Sequence, residues 1–269
     1  MHLPVLRSFV VFCSCSIVSS SLHAAEPIFP PDAKLELLWN DGEFTEGVAA
    51  RDDGVIFFSD IAIAGKGPGR ILKFDPATKQ TTVFVADSGQ SNGLFFTPAG
   101  KLVAACGANK GHRALCEVTA AGTLEIVVGK FDGKVFNSPN DVVVHPQGWI
   151  YFSDPRYVGP EPLELDLQSV YRVDPDGSVQ RATTNISKPN GVIIAPDGKT
   201  LYVAETNNGA TGVEPAGTPA QPVRFTLNAF PIQTDGSLGD KKVIVDFGGE
   251  MGIDGMTMDA AGHIYAAIR

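Results

Sequence analysis

The stretch Asn140-Asp-Val-Val-Val-His-Pro-Gln-Gly-Trp-Ile-Tyr-Phe-Ser-Asp154 decides the fold. It is a polar head, a short apolar run, a Gly-bearing turn and a second apolar run, which is the pattern of a β-hairpin. Working outward in both directions, the same pattern returns at 46–60, 92–105, 190–205 and 254–267. Its heads are Glu46, Asn92, Asn140, Asn190 and Asp254, at intervals of 46 to 50 residues and one of 64. A repeat of this period, met once per hairpin, is the first thing to explain.

Two further strand-like runs fill each interval. After Asp60 come Arg70-Ile-Leu-Lys-Phe-Asp75 and Thr81-Thr-Val-Phe-Val85; after Asp154 come Ser169-Val-Tyr-Arg-Val-Asp174 and Val179-Gln-Arg-Ala-Thr183. Four antiparallel strands every 40–50 residues read as the blade of a β-propeller. A β-sandwich is the alternative, and five matching heads weigh against it. No window carries a helical stripe, so the fold class is all-β. Residues 207–222, rich in Gly, Pro, Asn and Thr, read as a loop that rises on the face of the heads.

The first strand of a propeller blade lines the central channel, so the five heads form a ring at one mouth. All five carry oxygen donors. Two carboxylates and three amides, with no thiolate and no imidazole, suit a hard cation, and a roomy ring from separate blades suits calcium better than magnesium. The competing reading is that Asn and Asp open these strands because they favour turns; a Glu in the same register has no such preference. Asn92 faces the channel by register and is a substrate-binding candidate. His112 lies on the turn after the second strand of the second blade, either as a further substrate contact or as a plain surface residue. Asp141 reads as a stabiliser of its strand start.

The runs Phe44-Thr-Glu46-Gly, Ser138-Pro-Asn140-Asp, Lys188-Pro-Asn190-Gly and Ile253-Asp254-Gly-Met resemble the recurring motifs of the SMP-30/gluconolactonase/LRE-like family, and Tyr151-Phe-Ser-Asp-Pro-Arg-Tyr157 is similar to its bacterial gluconolactonase branch. The resemblance runs from about residue 36 to the end. It implies a six-bladed propeller, a divalent metal held by Glu46, Asn190 and Asp254, Asn140 close to metal and substrate, and Asp254 as catalytic acid/base. It further implies that a calcium ion, or another divalent cation, polarises the carbonyl of a sugar-acid lactone. A carboxylate on a cation is a weaker base, so either Asp254 divides its two oxygens between the tasks or the metal's own water is acidic enough. A calcium-binding propeller without turnover, and a lactonase or esterase of another substrate class, are the alternatives. Against six blades, the chain offers four full blades and part of a fifth, and the ring reads as C-terminally incomplete. Lys34–Trp39 reads as the outer strand that would close the last blade, here with no sheet to join; the alternative is a five-bladed ring in which it completes a stunted fifth blade.

Residues 1–25 open with Arg7, continue in an apolar run and end in small residues, which reads as a secretory signal ahead of a propeller domain spanning 26–269. The run is short for a membrane anchor, so a secreted or periplasmic protein without stable membrane insertion is expected. In an oxidising compartment Cys106 and Cys116 are candidates for a disulfide. With a formal net charge of −9 and scattered lysines, the chain has no electrostatic footprint for nucleic acid. A small-molecule lactone is the expected partner.

Overall fold

A computed structural model of the chain describes residues 30–64, 67–219, 221–249 and 251–268. The expected export signal, residues 1–25, lies outside the described residues. The chain divides into two units, Met1–Leu38 and Trp39–Arg269. In the first, residues 30–33 form a turn closed by Ala33 N–H to Pro30 O at 2.9 Å. The run Lys34–Trp39, read as an outer strand without a sheet to join, joins no ladder among the described residues, and Leu35 and Leu37 are exposed. Alternation alone cannot make a strand, because extended N–H and C=O groups need a neighbour.

The second unit is all-β and holds 20 strands among the described residues. Four sheets have four antiparallel strands in sequence order. They are β1 (Thr45–Ala50) to β4 (Gln80–Val85), β5 (Ser91–Phe96) to β8 (Leu124–Val128), β11 (Val142–Val144) to β14 (Val179–Arg181), and β15 (Pro189–Ile194) to β18 (Lys242–Asp246). A fifth pair, β19 (Ile253–Met258) and β20 (Ile264–Ile268), follows. The repeat read from the sequence is therefore the repeat of sheets. A small hairpin, β9 (Lys130–Phe131) with β10 (Lys134–Val135), was not legible as a strand pair. It turns on Asp132-Gly133, both with positive φ, the combination that two-residue hairpin loops require.

Each hairpin between first and second strands turns on Gly54, Gly100, Gly148, Gly198 or Gly262, with φ between +71° and +91°. Only glycine reaches that region without strain.

The sheets pack face to face in chain order, and their first strands adjoin: β1 beside β5, β5 beside β11, β11 beside β15 and β15 beside β19. Strand period two sorts the side chains between the layers. In β6 (Leu102–Cys106), Ala104 and Cys106 pack with Phe57 and Ile71 of the preceding sheet, whereas Val103 and Ala105 pack with Phe152 and Tyr171 of the following one. Both faces are covered, which is why β6 is buried along its whole length and reads as an unbroken apolar run. Val143, Tyr151 and Val170 meet Val192, Leu201 and Phe230 in the next layer.

This register corrects the expected disulfide. Cys106 stands opposite Ala114, and Cys116 opposite Ala104, so the two cysteines are diagonal neighbours on one face. Diagonal positions lie farther apart than the Cβ separation a disulfide spans. Both are buried free thiols, and Cys106 Sγ donates to Ser88 O at 3.5 Å.

Candidate functional site

Four heads are the second residue of a first strand: Glu46 in β1, Asn92 in β5, Asn190 in β15 and Asp254 in β19. Asn140 comes two residues before β11 and keeps the same pairing, its N–H donating to Ser153 O at 2.9 Å. In the four sheets led by β1, β5, β15 and β19 the ladder slips directly after the head, between Glu46 and Ala49, Ser91 and Leu94, Pro189 and Val192, and Ile253 and Met256. A bulge of this kind bends the strand and re-aims a side chain. Here it turns each head into the shared mouth.

The glycine after the head lets neighbouring strands nest. A Cβ on Gly47 would lie 1.8 Å from Asn92 O, one on Gly93 2.6 Å from the Asp141 Cα, and one on Gly191 2.6 Å from Asp254 O. In the third sheet Asp141 takes this position instead. Its Oδ2 accepts from Val192 N at 2.8 Å, and its Oδ1 from Val142 N at 2.9 Å, so it fastens two first strands together. Burial pushes its carboxyl up to about 6 against those hydrogen bonds.

A second set of acids holds the approach to the heads. Asp60, the last residue of β2 (Ile56–Asp60), accepts from Glu43 N at 2.8 Å and Phe44 N at 3.0 Å. Asp154, ending β12 (Ile150–Asp154), accepts from Asn137 N at 2.8 Å and Ser138 N at 2.7 Å. Glu205 in β16 (Thr200–Asn207) accepts from Ser187 N at 3.0 Å. All three are buried. Arg70 pairs with Asp60 at 2.9 Å and Lys241 with Glu205 at 3.6 Å. Burial pushes the Asp154 carboxyl up to about 7, against the two amides and the charges of Arg113 and Arg156.

The five heads line one cavity of about 430 Å³. A second cavity of about 750 Å³ lies along the first strands and also touches all five. Asn190 is buried and its Nδ2 donates to Asp254 Oδ1 at 2.8 Å. The structure thus brings together Glu46, Asn92, Asn140, Asn190 and Asp254 as the sequence suggested. His112 is not among the lining residues; it is exposed, and its ring packs over Gly89. Its turn is held by His112 N–H to Gly89 O at 3.0 Å, which keeps the ring outside the mouth.

Tyr157 has no assigned role in the sequence reading, yet it stands in the cavity wall. Its hydroxyl donates to Lys188 O at 3.2 Å and Thr206 O at 3.1 Å, and its ring lies 5.5 Å from Lys188 Nζ. Burial, then the charge of Asp254, holds the phenol well above its ordinary range. The available signal was its place in the Asp154-Pro-Arg-Tyr157 run, directly after a head-bearing hairpin. Lys188 is buried, with its Nζ donating to Asn208 Oδ1 at 2.9 Å and to Gly209 O. Through Asn208 the long loop after β16 reaches the cavity.

The donor set fits a hard cation. The heads offer two carboxylates and three amide oxygens, and no thiol or imidazole lines the cavity among the described residues. Those residues contain no group of three or more His, Cys, Asp or Glu side chains placed to hold a metal, so any cation here rests on amides as much as on carboxylates.

A gluconolactonase of Zymomonas mobilis is 26% identical over 265 residues, which is 90% of this chain and 69% of the relative. Lactonase drp35 of Staphylococcus epidermidis is 30% identical over 165 residues, and the match spans 60% of this chain and 47% of that protein. Among solved structures, a gluconolactonase of Xanthomonas campestris superposes with a TM-score of 0.69 at 28% identity, covering 85% of this chain and 71% of the other. Regucalcin of Agrobacterium tumefaciens, a calcium-binding protein, shares the fold with a TM-score of 0.61 at 24% identity, over 83% of this chain and 67% of the other. Residues 44–269 match the family model for the SMP-30/Gluconolactonase/LRE-like region, and with its propeller-type sheets and oxygen-lined mouth the chain belongs to that family.

Proposed function

We propose that this chain is a calcium-dependent lactone hydrolase acting at the mouth formed by the five heads. The observation that carries the reading is the convergence of Glu46, Asn92, Asn140, Asn190 and Asp254 on one cavity, with Asn190 hydrogen-bonded to Asp254. Relatives named as gluconolactonases and lactonases support the hydrolytic chemistry, and the calcium-binding regucalcin supports the choice of ion. The frame proposed for the site is the six-bladed ring implied by the family resemblance, with the sheets of this chain as consecutive blades. A secreted or periplasmic site of action belongs to the same reading, on the strength of the leader-like residues 1–25.

Glu46, Asn140, Asn190 and Asp254 would hold the cation, with Asn92 and Asn140 turned toward substrate. When bound, a divalent cation supplies Lewis-acid polarisation of a lactone carbonyl and lowers the pKa of water. Asp254 takes a proton from the attacking water as its oxygen bonds to the carbonyl carbon. As the ring C–O bond breaks, the same carboxyl returns that proton to the leaving alkoxide, so water and lactone become one hydroxy acid. Asn190 Nδ2, fixed on Asp254 Oδ1, sets the orientation of the carboxylate. Sugar-acid lactones enter the proposal through the names of the relatives, and glucono-1,5-lactone is the first substrate to assay.

Acid release from glucono-1,5-lactone and simple δ-lactones, measured before chelation, after it and with calcium restored, tests the reading. Loss and recovery of turnover are expected. Undiminished turnover in chelated protein would remove the metal from the mechanism. Calcium binding by titration without hydrolysis of any lactone would leave a calcium-binding propeller instead.

A further inference from the structure

Above the oxygen-lined floor the cavity wall is built from Phe44, Ile61, Ile63, Val158, Phe225 and Met251. Ile63, Val158 and Met251 are exposed, 40%, 44% and 64% respectively, although they are large apolar side chains on loops at the mouth. A cluster of this kind around a concave site marks a surface that binds something apolar.

The polar residues interleaved with them are already committed to the protein. Gln90 Nε2 donates to Gly67 O at 3.1 Å and Asn109 O at 3.2 Å, while its Oε1 accepts from Ala62 N at 3.1 Å. Asn109 Nδ2 donates to Ile63 O at 3.2 Å. Thr206 Oγ1 donates to Ile253 O at 2.5 Å. The Tyr157 hydroxyl is spent on two backbone carbonyls, and Asn208 Oδ1 accepts from Lys188 Nζ. These side chains shape the wall by bonding backbone, and the groups they would offer a ligand are largely used.

We infer that the preferred substrate is a lactone bearing an alkyl or aryl substituent, seated against the apolar wall with its carbonyl on the floor, rather than a polyhydroxylated sugar-acid lactone. Gluconolactone carries hydroxyls around its ring; each one buried against Ile63 or Phe225 without a partner costs affinity. An alkyl substituent in the same place gains it. The inference rests on the lactone-hydrolase reading and narrows its substrate class; sugar-acid lactones are then turned over, but slowly.

The test uses the full chain with calcium and two readouts. The first is kcat/KM for δ-valerolactone, δ-heptalactone, δ-nonalactone and glucono-1,5-lactone, each divided by its own uncatalysed rate at the same pH. Selectivity is expected to rise by about fourfold per added methylene until the wall is filled, with glucono-1,5-lactone on the order of tenfold or more below δ-nonalactone, the gain of two well-seated methylenes. The second is calorimetric binding of the unhydrolysable δ-lactams, alkyl-substituted against polyhydroxylated, with the same order expected. Ile63→Asn and Met251→Gln, both on exposed loops, should flatten the methylene series and narrow the gap between δ-nonalactone and glucono-1,5-lactone. A normalised kcat/KM for glucono-1,5-lactone equal to or above the alkyl series overturns the inference. So does tighter or equal binding of the polyhydroxylated lactam, or failure of the alkyl lactam to bind. If no lactone is hydrolysed but the alkyl lactam still binds more tightly, the hydrolase reading falls and the apolar preference stands.

Discussion

Asp254 is asked to carry both charge and proton, and the two can be separated at a single atom. Asp254→Asn keeps an oxygen for a cation and a neighbour for Asn190, but it cannot exchange a proton. Loss of kcat on the order of 10²-fold or more is expected from general-base arithmetic, with the unfolding midpoint unchanged in chelated protein; near-normal kcat would place the base elsewhere. Gly47 is the opposite kind of residue, chosen for what it lacks. With φ at +56° and only 1.8 Å available before Asn92 O, Gly47→Ala should destabilise the fold by roughly 2 kcal/mol or more, read from denaturant unfolding at constant m. At this scale the sequence was informative where chemistry repeats. The five heads were legible because one residue class recurs in one register. Tyr157, Phe225 and Met251 were not, since Tyr157 and Met251 stand on connections and Phe225 on the third strand of its sheet, all outside the matching part of the repeat, and no periodicity marks a wall.

At the scale of the element, three buried acids at or near the ends of second strands, Asp60, Asp154 and Glu205, tie their hairpins to the segments leading into the heads. Asp154 shows what this requires. Its carboxyl is raised to about 7 in the folded protein, above its ordinary unfolded value. Between those two values the folded state binds the extra proton, so stability is greatest below about pH 4 for this group and falls as pH rises to about 7. Comparing wild-type protein with Asp154→Asn from pH 4 to 8 should show wild-type stability declining relative to the variant by on the order of 2–4 kcal/mol; parallel curves would mean the carboxylate ionises freely. These acids stood in plain view as the tails of the repeat, Ser-Asp60, Ser-Asp154 and Ala-Glu205, but hydrogen bonds to backbone amides seventeen or so residues away leave no local pattern. Register was hidden for a related reason. The spacing of Cys106 and Cys116 suits a cross-strand pair, and a shift of two positions in the ladder decides whether they face each other or lie diagonally.

For the molecule as a whole, the heads gather five sheets of the second unit, all but the small β9–β10 hairpin, at one point. A cation bound there would join β1, β15, β19 and the approach to β11 through one set of ligands, and binding only the folded state raises stability by mass action. Calcium at a hundredfold above its dissociation constant should add about 2.7 kcal/mol and raise the Tm of wild-type protein, with the gain reduced in Glu46→Gln. A Tm indifferent to calcium would argue against a site that spans the sheets. The architecture itself was legible from the period of the repeat, because every sheet turns on a glycine hairpin and every interval holds the same four runs. Lys34–Trp39 marks the limit of that reading, because an apolar run reports a face seeking cover and carries no information about which neighbour supplies it.

Near-identical modules bring a hazard of their own: they can be put together in the wrong order, one step around, with little to mark the error. Gly47, Gly93 and Gly191 accept any backbone laid against them, and so discriminate poorly between correct and shifted neighbours. Asp141 does not share that tolerance, since its two oxygens must find Val142 N and Val192 N together. A single carboxylate in a row of glycines therefore marks one junction for assembly, since a neighbour set out of register, with no amide presented to it, would leave a buried charge unanswered.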